Sequence, residues 1–145
     1  MAGRGPAPED RAADGGSFDV LPAEGYAGKV PKLGAGYRVS DGHHERRVRF
    51  LAATRDWYAD WSTSPQASRF TATDWRRLRM IAPLVDRYLR SSAKDLAAEI
   101  RLQEALLGAT AADRLRLRWK VAEPVAPLEG ESPRAARRQR LRSVA

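Results

Sequence analysis

Thr71-Ala-Thr73-Asp-Trp75-Arg-Arg-Leu78-Arg-Met80-Ile81-Ala-Pro83-Leu-Val85-Asp-Arg87-Tyr-Leu-Arg90 is the stretch whose reading decides the fold. On a rod that advances about 100° per residue, Trp75, Leu78, Ile81, Ala82, Leu84, Val85, Tyr88 and Leu89 fill one broad half. Arg76, Arg79, Arg87 and Arg90, with Asp86, gather on the other. One half is a core face and the opposite half an arginine stripe. Thr71 or Thr73 supplies the N-cap oxygen, and Asp74 faces the positive start of the helix. Pro83 lacks the N–H that the carbonyl four residues earlier needs, which predicts a bend near Met80.

Downstream, Ser92-Ala-Lys-Asp95 has the spacing of a capping box and predicts a helix over 93–107, closed by Gly108. Leu96, Ile100 and Leu107 form one stripe on it, and Leu102 with Leu106 a second, separated by polar residues. A helix with two apolar stripes needs two partners. Thr110-Ala-Ala-Asp113 repeats the capping pattern ahead of residues 114–121, where Leu115 to Trp119 also alternate as in a strand; the cap favours helix. Upstream, Thr54 caps a helix that carries Trp57 and Trp61 on one face and ends near Ser64-Pro65. Residues 43–51 read two ways, since Val48 and Phe50 alternate with Arg47 and Arg49, while His43-His44-Glu45-Arg46-Arg47 can open a helix.

The flanks differ in composition. Residues 1–42 are rich in Gly, Pro, Ala and Asp and read as a flexible arm. Residues 43–122 form the helical core, and residues 123–145 read as a disordered tail ending in Arg134, Arg137, Arg138, Arg140 and Arg142. The expected fold is all-α: a small bundle of three to four helices between an extended, largely disordered arm and a basic tail.

Charge directs the search for partners. The net charge is +8, and residues 41–122 alone carry 16 basic against 10 acidic side chains. Arg outnumbers Lys 22 to 4, which suits bidentate phosphate contact, although a GC-rich coding sequence gives the same bias. DNA contact is assigned to Arg46, Arg47, Arg49, Arg76, Arg79, Arg87 and Arg90, with a solvated face as the alternative. Trp57, Trp61, Leu96, Ile100, Leu102, Leu106 and Leu107 are assigned to self-association, because a chain of 145 residues has a thin core of its own. The tail arginines are assigned to a partner protein or to DNA.

Catalysis finds no support in the motifs. Gly25-Tyr-Ala-Gly28-Lys29-Val is too short to be a phosphate loop and lacks the magnesium hydroxyl. His43 and His44 are adjacent and cannot share a face, so neither a metal site nor any cofactor is expected. There is no Cys, and the longest apolar run, Met80 to Val85, falls far short of the about 20 residues of a membrane span. A cytoplasmic protein without membrane contact is expected.

Several of these pieces, in this order, resemble small terminase subunits of phages that infect actinobacteria. They are Trp61-Ser-Thr-Ser-Pro65-Gln66-Ala, Thr73-Asp-Trp75, Ala82-Pro-Leu-Val-Asp-Arg-Tyr88, Ala98-Glu99-Ile-Arg-Leu and Leu107-Gly-Ala-Thr110-Ala-Ala-Asp-Arg-Leu-Arg-Leu-Arg-Trp119-Lys-Val. Leu21-Pro22-Ala-Glu-Gly-Tyr26-Ala-Gly28-Lys-Val-Pro31 looks like the extended leader of that family. The resemblance implies a ring-forming homo-oligomer that recognises viral double-stranded DNA and presents it to the large terminase subunit, which holds the ATPase and nuclease. It places the protein in the host cytoplasm, whether encoded by a free phage or a prophage. Assembly elements fall on helix 93–107 and DNA-facing candidates on the basic positions of residues 46–90. Many members read DNA through an N-terminal helix-turn-helix, for which residues 1–42 are too rich in Gly and Pro. The rival readings are a helical transcriptional regulator whose 73–90 helix enters the major groove, and an adaptor that never touches nucleic acid.

Overall fold

A computed structural model describes residues 17–124. Four helices dominate: α1 (Ala52–Thr63), α2 (Ala72–Ser91), α3 (Lys94–Leu106) and α4 (Ala111–Arg116), with a 3-10 turn at Pro65–Arg69. Thr71 starts α2, its N–H donating to Asp74 Oδ2 at 2.8 Å. The helix continues past Pro83 to Ser91. Thr110 starts α4 with both halves of a capping box, Asp113 N–H to Thr110 Oγ1 and Thr110 N–H to Asp113 Oδ2, each 3.2 Å. Gly108, at φ 77°, closes α3 in the left-handed conformation that its position after the last turn predicts.

The expectation of a purely α-helical protein is corrected by four short strands. β1 (Asp19–Leu21) pairs in parallel with β4 (Trp119–Val121), and β2 (Gly36–Ser40) pairs antiparallel with β3 (Glu45–Arg49). Residues 43–51 thus follow the alternating reading and not the helical one. Asp41-Gly42 turns the chain, with Gly42 at φ 91°, and a Cβ at Gly36 would collide with the Val48 carbonyl. Residues 114–121 satisfy both of their readings in succession: α4 stops at Arg116, Arg118 takes φ 57°, and β4 begins at Trp119. Residues 17–42, read from composition as arm, hold two strands, and Tyr26, Val30 and Leu33 pack against the helices.

A second correction concerns Ser92. It does not cap α3; it ends α2 at φ 54°, donating its N–H to the Tyr88 carbonyl at 2.7 Å, while Ala93 opens α3 without a side-chain cap. An L side chain in this conformation carries a steric cost that glycine avoids. Ser92→Gly is therefore expected to stabilise the protein by about 0.5 kcal/mol, read as a melting temperature higher by about 2 °C.

The core lies where α1, the 3-10 turn, α2 and α3 meet, and comprises Tyr58, Trp61, Ala67, Trp75, Leu78, Ile81, Val85, Ile100 and Leu107. Phe70 meets Trp75 edge to face at 5.3 Å between ring centres. Gln66, buried, donates from Nε2 to the Gly108 carbonyl at 2.8 Å, fixing the turn against the end of α3. Tyr58 Oη donates to the Pro31 carbonyl at 2.8 Å and ties the 26–33 segment to the same core.

Candidate nucleic-acid interface

The β2–β3 ribbon takes its sidedness from strand alternation. Tyr37, Val39 and Val48 are half-buried, whereas Arg38, Arg47 and Arg49 are exposed. The register sets Arg38 opposite Arg47 and Tyr37 opposite Val48. Two guanidinium groups therefore stand directly across from each other on the outer face, a like-charge pairing that costs stability in isolation. Arg38 Nη1 lies 3.6 Å from Glu45 Oε2. Arg46, Arg47 and Arg49 form no ion pair with a carboxylate among the described residues. At the tip, the N–H groups of His43 and His44 donate to Asp41 Oδ1 at 2.9 and 2.7 Å, and they hold that carboxyl below its ordinary range.

The base of the ribbon is tied to the helices by Asp86, which is fully buried. Its Oδ1 accepts from the Leu51 N–H at 2.8 Å and from Thr54 Oγ1 at 2.7 Å. Its Oδ2 accepts from Tyr37 Oη at 3.0 Å and Arg90 Nε at 2.7 Å. Arg90 Nη2 also donates to the Arg49 carbonyl at 2.9 Å. Desolvation works against ionisation of Asp86, but the bonds from Leu51, Arg90, Thr54 and Tyr37 together hold its carboxyl below the usual range. Burial, and then the Asp86 carboxylate, push the Tyr37 phenol up, so it stays a donor at neutral pH. One carboxylate thus joins β2, the start of α1 and the last turns of α2.

Its charge grouped Asp86 with the arginines of α2; the structure turns it inward beside the buried Val85. Arg76, Arg79 and Arg87 are exposed on α2, with Met80, 60% exposed, among them. Arg90 leans across to the ribbon. The structure thus joins Arg49 and Arg90, two of the assigned DNA contacts, through one hydrogen bond. Arg38 was missed because residues 1–42 were read as arm; Asp41-Gly42 between alternating stretches was the signal that would have found it.

The residues assigned to self-association divide into two groups. Trp61, Ile100 and Leu107 are buried in the protomer's own core, and Trp57 and Leu96 are half-buried. Trp57 Nε1 donates to Glu104 Oε1 at 2.6 Å. Leu102 and Leu106, by contrast, are 48% and 68% exposed on the outer face of α3. The two stripes of that helix do face different surroundings. The tail arginines 134, 137, 138, 140 and 142 lie outside the described residues.

Among the described residues, no group of three or more His, Cys, Asp or Glu side chains is placed to hold a metal ion, and no helix is long and apolar enough to cross a membrane. No curated protein and no solved structure matches the chain. The family described as phage terminase small subunit matches residues 3–144. A match of that extent, on a mostly helical protein with a basic surface, means that the chain belongs to the phage terminase small subunit family.

Proposed function

We propose that this protein is a non-catalytic, DNA-binding member of the packaging machinery, which recognises viral double-stranded DNA and presents it to the large terminase subunit in the cytoplasm of the bacterial host. The observation that carries the reading is the exposed arginine set on α2 and the ribbon, joined where Arg90 meets Arg49. Family membership supports the packaging role. The exposed pair Leu102 and Leu106 supplies an apolar strip for assembly of protomers into a closed ring. The arginines of residues 134–142 serve the large subunit or DNA by charge. No cofactor takes part.

The purified full chain should sediment as a multimer and bind duplex DNA with affinity that falls steeply as salt rises. The slope of log K against log salt should be about −0.9 per phosphate neutralised. A dimer selective for one palindromic site would favour the transcriptional regulator instead. A monomer indifferent to duplex at low salt would sink both readings.

A further inference from the structure

We infer that the β2–β3 ribbon is the element that enters the DNA, lying in the major groove with the outer face carrying Arg38, Arg47 and Arg49 turned to the base edges. This rests on the DNA-binding reading above and adds to it the element, the groove and the residues.

Shape supports it first. Two paired strands lie about 4.8 Å apart, and the major groove, about 12 Å wide, admits such a ribbon with its side chains. Five-residue strands at about 3.4 Å per residue reach roughly 17 Å, enough to follow several base pairs. Charge supports it next. The Arg38–Arg47 pairing is unfavourable alone and becomes favourable beside a polyanion, and the guanidinium fork matches O6 and N7 of guanine. Anchorage supports it last. The bonds from Tyr37 to Asp86 and from Arg90 to the Arg49 carbonyl, with the Phe50 ring 5.4 Å from that of Tyr37, fix the direction in which the ribbon leaves the helices. A held ribbon loses little freedom on binding. Such a reader needs no helix-turn-helix, for which residues 1–42 are too rich in Gly and Pro.

The test compares the full chain with the triple variant Arg38→Ala/Arg47→Ala/Arg49→Ala, by fluorescence anisotropy on a short GC-containing duplex over a salt series. The outer arginines are exposed, so the thermal melt should stay unchanged. Affinity should fall at least about tenfold and preference among sequences should be lost, while the salt slope, set by phosphate contacts elsewhere, should change little. The triple variant Arg38→Lys/Arg47→Lys/Arg49→Lys, which keeps the charge and loses the fork, should retain non-specific affinity and lose preference among sequences. Methylation of guanine N7 should block binding, and a minor-groove ligand such as netropsin should not. Wild-type affinity and sequence preference in the alanine variant would overturn the ribbon while leaving the packaging role standing. Indifference to N7 methylation would overturn its placement in the major groove. Failure of the unaltered chain to bind any duplex would overturn ribbon and DNA reading together.

Discussion

Replacing Asp86 by alanine is expected to lower the melting temperature by about 12 °C and to release the ribbon from the helices. The reason is the number of groups that one carboxylate satisfies. Without it, the buried Thr54 hydroxyl, the Leu51 N–H and the Tyr37 hydroxyl lose an acceptor, and Arg90 loses its counter-charge. Removing one member of a buried charged network costs roughly 3 kcal/mol or more, and a domain of this size loses about 4 °C per kcal/mol. Thermal melting reads the loss, and hydrogen exchange should show residues 36–49 opening before α2. A variant that melts like the parent would show that the node does not hold the fold.

The same group sets a pH dependence, with a definite sign. Asp86 has a folded-state pKa below its unfolded value. The stability it contributes is therefore fully present above about pH 4, the ordinary carboxylate range, and is lost as pH falls through the lower folded value. Melting temperature should drop on acidification below about pH 4, and Asp86→Asn should flatten that drop.

If protomers assemble through the Leu102–Leu106 strip as proposed, the double variant Leu102→Glu/Leu106→Glu is expected to turn the multimer into monomers without lowering the melting temperature of the protomer. Burying one leucine side chain contributes about 1.5–3 kcal/mol, so losing two such contacts at each junction weakens association by more than about a hundredfold. Both side chains already face solvent within the protomer, so the fold loses little. Ile100→Ala is the contrasting change: it lies in the core and should cost the protomer about 2–5 kcal/mol. Sedimentation separates the two effects, and an unchanged multimer in the glutamate variant would exclude this strip as the junction.

What the sequence disclosed follows from how local each feature is. The span of α2 and most of its core face, the Gly108 stop and the two stripes of α3 depend on neighbours within a few residues and were legible, although Leu89, sorted with the core, is 45% exposed. The ribbon was half legible: Val48, Phe50, Arg47 and Arg49 alternated, but the partner strand lay in a stretch whose Gly and Pro content read as arm. Asp86 was placed on the wrong side because its charge grouped it with the arginines, although at about 100° per residue it falls at the edge of the core face, about 20° from Trp75. Its inward position depends on donors from Tyr37, Leu51 and Thr54, which are more than 30 positions away. Arg90 was assigned by charge alone; its tie to Asp86 and the Arg49 carbonyl makes it a positioning group for the ribbon as well.

The pairing of Asp19 with Trp119 spans 100 positions, and it decides when the molecule is finished. Closing a loop of that length costs about 4 kcal/mol in chain entropy, and a pair of three-residue strands returns too little to form ahead of the helices between them. Leu21, wholly enclosed once the pair exists, has no shelter until then. During synthesis β1 leaves the ribosome early and waits, while the helical centre folds first. Only translation through Val121 lets the latch shut, so a nascent chain interrupted before that point bears an open strand edge and an uncovered leucine.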